Sequence, residues 1–397
     1  MTLPAQTQLS PVAVRDRLHF LDIVRGFAML GIIMVNYFLI ASSGAFASSS
    51  GETITQSLVH WFAEGKFYTL FSFLFGIGFI IFMNRAEARF ESPRIVFVRR
   101  LVALFGFGLL HIAFIWSGDI LTYYAVAGLL LLLFYKCRPA TLLIWAVVLL
   151  LAYSLFSLSW MLQPTFLEGT DFAAEATNTS YLVSIGERFS EVKGMLSTSY
   201  TMLIPMLMMF LVGMYFVKKG LFHQMESKKK QWTRIWSIFT ILFVAIQAFT
   251  IWNTWQGSSN EMSGFGAADL VSQVSGIVGS LFYMSSLALL FLYVGKLRPL
   301  LMLIGNVGRM SLTCYLLHSM IGTFLFFDYG LGLGKMLPPT GVASVGFGVF
   351  ILLIVLSTVW MKYFKYGPVE WLWRKLTYGK MDGLRGGNAS ANRSVVR

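Results

Sequence analysis

Ten apolar runs, each about as long as the hydrocarbon core of a bilayer is thick, leave this chain few ways to fold. They cover residues 19–41, 62–83, 99–117, 119–135, 139–161, 196–217, 233–252, 269–295, 300–327 and 341–363. In a helix, about 20 apolar residues cross roughly 30 Å of hydrocarbon. Inside lipid every backbone polar group must be satisfied by the protein itself, which restricts spanning segments to helices and closed barrels. The expected fold is all-α: a polytopic transmembrane helical bundle of about 10 spans (10–11). Composition agrees, with 56% hydrophobic residues and only 12% charged ones in 397, about half the charge of a soluble domain. That balance excludes a water-soluble enzyme with one core, a nucleic-acid binder and a disordered chain.

The net charge of +13 is informative through its positions. With the N-terminus placed in the cytoplasm, 25 of the 31 Lys and Arg residues fall on that side, against Arg188, Lys193 and Lys335 in outer loops. The positive-inside rule therefore predicts both termini in the cytoplasm. The resulting division is a cytoplasmic N-terminal segment at 1–18, a transmembrane domain at 19–363, an interfacial amphipathic segment at 364–382 and a disordered basic tail at 383–397. Arg15, Arg17, the first apolar run and Ala45-Phe46-Ala47 imitate a cleavable signal. The run is too long for a signal core and carries Asp22, Arg25 and Asn36, so it is read as the first span. Cys137 and Cys314 form no disulfide framework, and the five histidines lack the spacing of metal ligands.

Ionisable groups at membrane depth cost at least about 2.5 kcal/mol each, so they mark candidate sites. In LDIVRGFAMLGIIMVNYF, helical periodicity puts Asp22, Arg25, Met29 and Asn36 within an arc of about 60°. Asp22 and Arg25 are either a functional pair or an ion pair that orients the helix near the inner interface. The segment LLHIAFIWSGDILTYYA reads as a tight outer hairpin, with His111 roughly 9 Å beneath the outer boundary and Asp119 opening the next helix. There the alternatives are a hydrogen-bonded structural histidine with an ordinary N-cap, or a general base oriented by a carboxylate. Asn36 falls at a similar depth and is expected to share that cavity. His60, Glu64 and Lys66 stand at the mouth of the second span as rim charges or as a second polar cluster. Below them, Gly76 and Gly78 read as sites of close helix contact. In the ninth span Ser311, Tyr315 and His318 share a face, whereas Arg309 points elsewhere and calls for an anionic partner.

These motifs have a familiar order. LDIVRGFAMLGIIMVN, KFYTLFSFLFGIGF, LLHIAFIWSGDILTYYA, VGRMSLTCYLLHS and YFKYGPVEWLWRKLTYG resemble, in sequence and arrangement, the YeiB family of bacterial inner-membrane proteins. That family is similar to heparan-alpha-glucosaminide N-acetyltransferase and to the wider transmembrane acyltransferase superfamily. The resemblance implies transfer of an acyl group from a cytoplasmic acyl-CoA, such as acetyl-CoA, to an amine or hydroxyl acceptor reached from the other side. It also implies a multi-pass location in the bacterial inner membrane; no metal is expected, because the histidines lack ligand spacing. The shared first-helix signature is matched by Asp22, Arg25-Gly26 and Asn36. In the glucosamine acetyltransferase the catalytic histidine follows that Asn closely, and the nearest counterpart here, His60, stands 24 residues beyond Asn36. YeiB-type chains instead carry the residues matched by His111 and Gly118-Asp119, which makes His111 the preferred base and His60 the second choice.

The chemistry expected of such a chain then divides by depth. Arg25, Arg309, Arg99 and Arg100, with Asp22, would receive the CoA phosphates on the inner side. His111, Asp119 and Asn36 would deprotonate the acceptor on the outer side, both sets opening into one water-accessible passage. Partners expected are membrane lipid, a small-molecule or glycan acceptor and, from glycine-rich helix faces, a second copy in a homodimer; no nucleic acid is expected. The rival reading is a proton-coupled transporter or lipid flippase in which Asp22/Arg25 and His111/Asp119 are coupling pairs.

Overall fold

The computed structural model describes residues 11–42, 54–161, 180–222, 225–255 and 265–379. Residues 1–10, 43–53, 162–179, 223–224, 256–264 and 380–397, and with them the expected basic tail, lie outside the described residues. The described chain is helical: α1 (Pro11–Ser42), α2 (Ile54–Phe62), α3 (Lys66–Glu87), α4 (Pro93–Phe114), α5 (Leu121–Phe134), α6 (Pro139–Met161), α7 (Tyr181–Lys218), α8 (Lys229–Trp255), α9 (Phe265–Tyr293), α10 (Arg298–Arg309), α11 (Ser311–Phe326), α12 (Pro339–Tyr363) and α13 (Pro368–Tyr378).

All ten apolar runs fold as helix, but not as ten equal spans. Among the described residues seven helices are long and apolar enough to cross a membrane, and a bent pair, α10 with α11, brings the count to eight if it is one span. α5, Leu121–Phe134, is shorter, at 14 residues. The run at 300–327, expected as one helix, turns by 80° at Met310. The break is stable because the amides it frees find acceptors elsewhere. Glu370 Oε1, from α13, accepts the Leu312 and Thr313 amides at 2.7 and 2.9 Å, and its Oε2 accepts the Thr313 hydroxyl at 2.5 Å. A carboxylate at a helix N-terminus also complements the helix dipole.

α1 forms the axis of the bundle. Phe20, Ile23, Val24, Ala28, Ile33 and Tyr37 on it are wholly buried, while α6, α8 and α12 turn Leu155, Ile241 and Ile351 outward. A belt of exposed apolar side chains is what lipid-facing helices require. Glycines decide the closest helix crossings. A Cβ on Gly26 would overlap the Ile304 carbonyl, and one on Gly308 would overlap the Asp22 carbonyl, so α10 lies directly against the α1 backbone there. Gly76 plays the same part between α3 and the Phe210 carbonyl of α7. Gly78 does not, because a Cβ on it would meet only Arg25 Nη2, at 3.9 Å.

Candidate functional site

Two polar sites lie on the bundle axis, one near each end. At the end holding the start of α1, one turn of helix separates Asp22 from Arg25, and Arg25 Nη1 donates to Asp22 Oδ1 at 2.8 Å. Both side chains retain partial exposure, 29% for Arg25 and 20% for Asp22. His19 and Arg309 act electrostatically on the same carboxylate. Arg309 ends α10 at the break and is exposed. Arg100 lies within electrostatic range of Arg25 and Arg374. Its guanidinium sits 3.6 Å from the ring centre of Trp373, whose indole N–H donates to the Arg100 carbonyl at 2.8 Å. Adjacent residues on a helix diverge by about 100°. Arg99 accordingly leaves this group and lines a separate surface cavity of about 300 Å³ with Ile95, Val98, Val102, Ala103 and Leu376.

The second site is built where α4, α5, α11 and α1 meet. His111 stands one turn from the end of α4 and Asp119 just before α5, so a tight turn folds them together. His111 Nδ1 is 3.3 Å from Asp119 Oδ1, and both side chains are 0% exposed. This contact is too poorly aligned for a hydrogen bond; neither ring nitrogen has a hydrogen-bond partner among the described residues, nor does Oδ1. Asp119 Oδ2 is occupied, accepting the Thr122 amide at 2.7 Å and the Thr122 hydroxyl at 2.8 Å. The aspartate thus caps α5 with one oxygen and faces the imidazole with the other. Gly108 makes room for it: a Cβ there would come within 2.8 Å of Asp119 Oδ2.

Asn36 is placed differently from its expectation. Its side-chain nitrogen is 3.2 Å from His318 Nε2, not beside His111. His318 Nδ1 meets the Cys314 carbonyl at 3.2 Å. Since a carbonyl only accepts, Nδ1 carries the proton and Nε2 accepts from Asn36, which fixes a neutral tautomer with both nitrogens engaged. The Tyr37 hydroxyl donates to the His318 carbonyl at 3.1 Å. Tyr315 stands between the two histidines, its ring centre 5.1 Å from that of His111 and 5.3 Å from that of His318. Asn36, His318, Tyr315, His111 and Asp119 therefore form one continuous chain of side chains. The shared face of Tyr315 and His318 is visible in the helical spacing, but a pairing across 282 residues has no local signal.

A cavity of about 530 Å³ adjoins His111, lined also by Phe107, Leu110, Phe114, Tyr181, Met320 and Phe324 among others. Its lining does not reach Arg25. On α1 the intervening residues Met29, Ile32 and Ile33 are buried, and 11 residues of helix separate Arg25 from Asn36 by about 16 Å. The expected single passage is thus closed by packed side chains. His60 lies on α2, exposed, with Nδ1 2.6 Å from Glu64 Oε2. The buried Lys66 ammonium donates to its carbonyl at 3.1 Å. That helix packs on α1, α8 and α12, whereas the His111 cavity is bounded by α4, α7 and α11.

Comparison with known proteins agrees with this architecture. Residues 17–256 match the family model described as heparan-alpha-glucosaminide N-acetyltransferase, catalytic, and residues 216–380 match the one described as protein of unknown function DUF418. Uncharacterized protein YxaH of Bacillus subtilis is 32% identical, with 94% of this chain and 97% of that protein aligned. An uncharacterized 39.9 kDa protein of Bacillus acidopullulyticus is 29% identical, over 94% and 97%. Uncharacterized protein YeiB of Escherichia coli is 26% identical, over 90% and 95%. No solved structure matches. The acetyltransferase model spans more than half of the chain and includes both polar sites of α1 and the His111–Asp119 pair, so the chain belongs to the YeiB family of multi-pass membrane proteins, among the transmembrane relatives of heparan-alpha-glucosaminide N-acetyltransferase.

Proposed function

We propose that this protein is an integral-membrane acyltransferase that moves an acetyl group from acetyl-CoA, taken up in the cytoplasm, to a hydroxyl or amine acceptor at the opposite membrane face. The observation that carries this reading is the wholly buried His111–Asp119 pair in the wall of a cavity. Asp119 Oδ1 faces Nδ1 at 3.3 Å, which favours the tautomer protonated there and leaves Nε2 as the base. His318, with both nitrogens engaged, is the less suitable candidate. The acceptor gives its proton to His111 Nε2 as its oxygen or nitrogen attacks the thioester carbonyl. The carbon–sulfur bond breaks, and the imidazolium returns the proton to the departing thiolate.

At the other end Arg25, Arg100 and Arg309 present positive charge to the diphosphate and 3′-phosphate of the donor. Arg99, which faces elsewhere, is not needed for that cluster. Transfer then requires the α1 stripe to open between Arg25 and Asn36, and Met29, buried on the same face, is the side chain that must move.

A transporter reading draws support from the bent α10–α11 pair, since discontinuous helices surround substrate sites in many carriers. Thermal unfolding of the purified protein separates the two. A hundredfold excess of acetyl-CoA over its Kd stabilises a binding protein by about 2.7 kcal/mol, and Arg25→Ala removes that gain. No acetyl-CoA effect, together with substrate-driven proton flux in liposomes, would establish the carrier instead.

A further inference from the structure

The cavity beside His111 opens sideways. Leu110, Phe114, Met320 and Phe324 on its walls are each more than half exposed (55%, 55%, 53% and 55%), and on membrane-spanning helices that exposure is to hydrocarbon. The polar atoms around it are mostly committed: the Tyr181 hydroxyl donates to the Phe114 carbonyl at 2.6 Å and the Thr323 hydroxyl to the Ser319 carbonyl at 3.0 Å. The imidazole of His111 is the exception, wholly buried and without a hydrogen-bond partner. A water-borne sugar entering here would lose its hydration and gain little in return. An amphiphile already in the bilayer would not.

A cation, Arg188, stands beside the cavity, against its lining residue Tyr181. Arg188 is buried, donates to Ser184 Oγ at 2.7 Å and to the Ala113 carbonyl at 3.4 Å, and lies 5.4 Å from the ring centre of Tyr181. A positive charge beside an apolar groove complements an acidic headgroup attached to a hydrocarbon chain.

We propose that the acceptor is an anionic membrane lipid. Its chain lies between Leu110, Phe114, Met320 and Phe324, its charge meets Arg188, and its free hydroxyl or amine reaches His111 laterally. This rests on the acyl-transfer reading and specifies the acceptor. Proton and acyl group move as in that reading: the lipid heteroatom bonds to the acyl carbon, the carbon–sulfur bond of the thioester breaks, and the lipid proton passes through His111 to the CoA sulfur. The products are acylated lipid and free CoA. A cavity of about 530 Å³ is of the size that holds a ligand headgroup with part of its chain.

Membranes containing the full chain, supplied with radiolabelled acetyl-CoA and then partitioned between organic and aqueous phases, test the assignment. Label is expected in the organic phase, absent with His111→Ala and lowered several-fold with Leu110→Trp or Met320→Trp, which fill the groove. Leu133→Trp, on the outward face of α5, controls for a tryptophan in lipid and leaves labelling unchanged. Arg188→Gln lowers it for anionic lipid acceptors. Label confined to water-soluble products overturns the lipid acceptor while preserving acyl transfer. No label in either phase, with acetyl-CoA still binding, also overturns it, because native membranes supply their own lipids. Loss of acetyl-CoA binding as well would remove the parent reading too.

Discussion

The two histidines at the core of this molecule differ in what their nitrogens can still do. His318 spends one on the Cys314 carbonyl and the other on Asn36, whereas His111 keeps Nε2 free and holds Nδ1 against Asp119. Removing a positioned general base costs about 10²–10⁴-fold in rate, so His111→Ala is expected to lower kcat by that order with acetyl-CoA stabilisation retained, whereas His318→Gln is expected to cost far less. Steady-state turnover beside thermal unfolding separates the two effects. Gly108 offers a structural check on the pair. Gly108→Ala drives a methyl into Asp119 and Thr122 and is expected to cost about 1–3 kcal/mol by overpacking, while Gly106→Ala, with open space around it, is neutral or stabilising by thermal unfolding. The His111–Asp119 contact was legible because only a tight turn separates its partners. Asn36 with His318 was not, since nothing local in either segment specifies the other.

Helices carry these residues, and one helix is deliberately broken. The apolar run across Met310 looks continuous because hydropathy does not register where a backbone bends. The partner that makes the bend tolerable, Glu370, comes 58 residues after Leu312, on a helix whose sequence reads simply as interfacial. Burial pushes the Glu370 carboxyl above the ordinary carboxylate range, despite the hydrogen bonds that act against it. The folded state therefore binds this proton more tightly than the unfolded one. Its contribution is greatest below the ordinary carboxylate pKa and is lost as pH rises through the raised folded value. Glu370→Gln, which keeps the shape and lacks the titration, is expected to flatten the fall in stability as pH rises above the ordinary carboxylate range. An unchanged profile would mean that Glu370 does not titrate in this way. At the α1–α10 crossing, Gly26→Ala would force the Ile304 carbonyl away and is expected to destabilise by about 1–3 kcal/mol, which equilibrium unfolding in detergent measures. The Arg-Gly pair of the first helix thus joins a charge to the backbone contact beside it.

For the whole molecule, the apolar runs made the helical membrane bundle readable because bilayer thickness imposes its own length scale on sequence. The packing that closes the route between Arg25 and Asn36 was not readable, since Met29, Ile32 and Ile33 look like ordinary apolar positions until their neighbours are known. The charge pattern predicts that tags at both termini are accessible from the cytoplasm alone, which protease or thiol-label accessibility in sealed vesicles checks. The central claim is that a charged donor end and a buried histidine end act on one acyl group. Its most direct test is the rate of free CoA release from acetyl-CoA by the purified protein in vesicles of its native lipids. The account predicts release that Arg25→Ala weakens through donor binding and His111→Ala lowers by about 10²–10⁴-fold with binding intact; undiminished release by His111→Ala would contradict it.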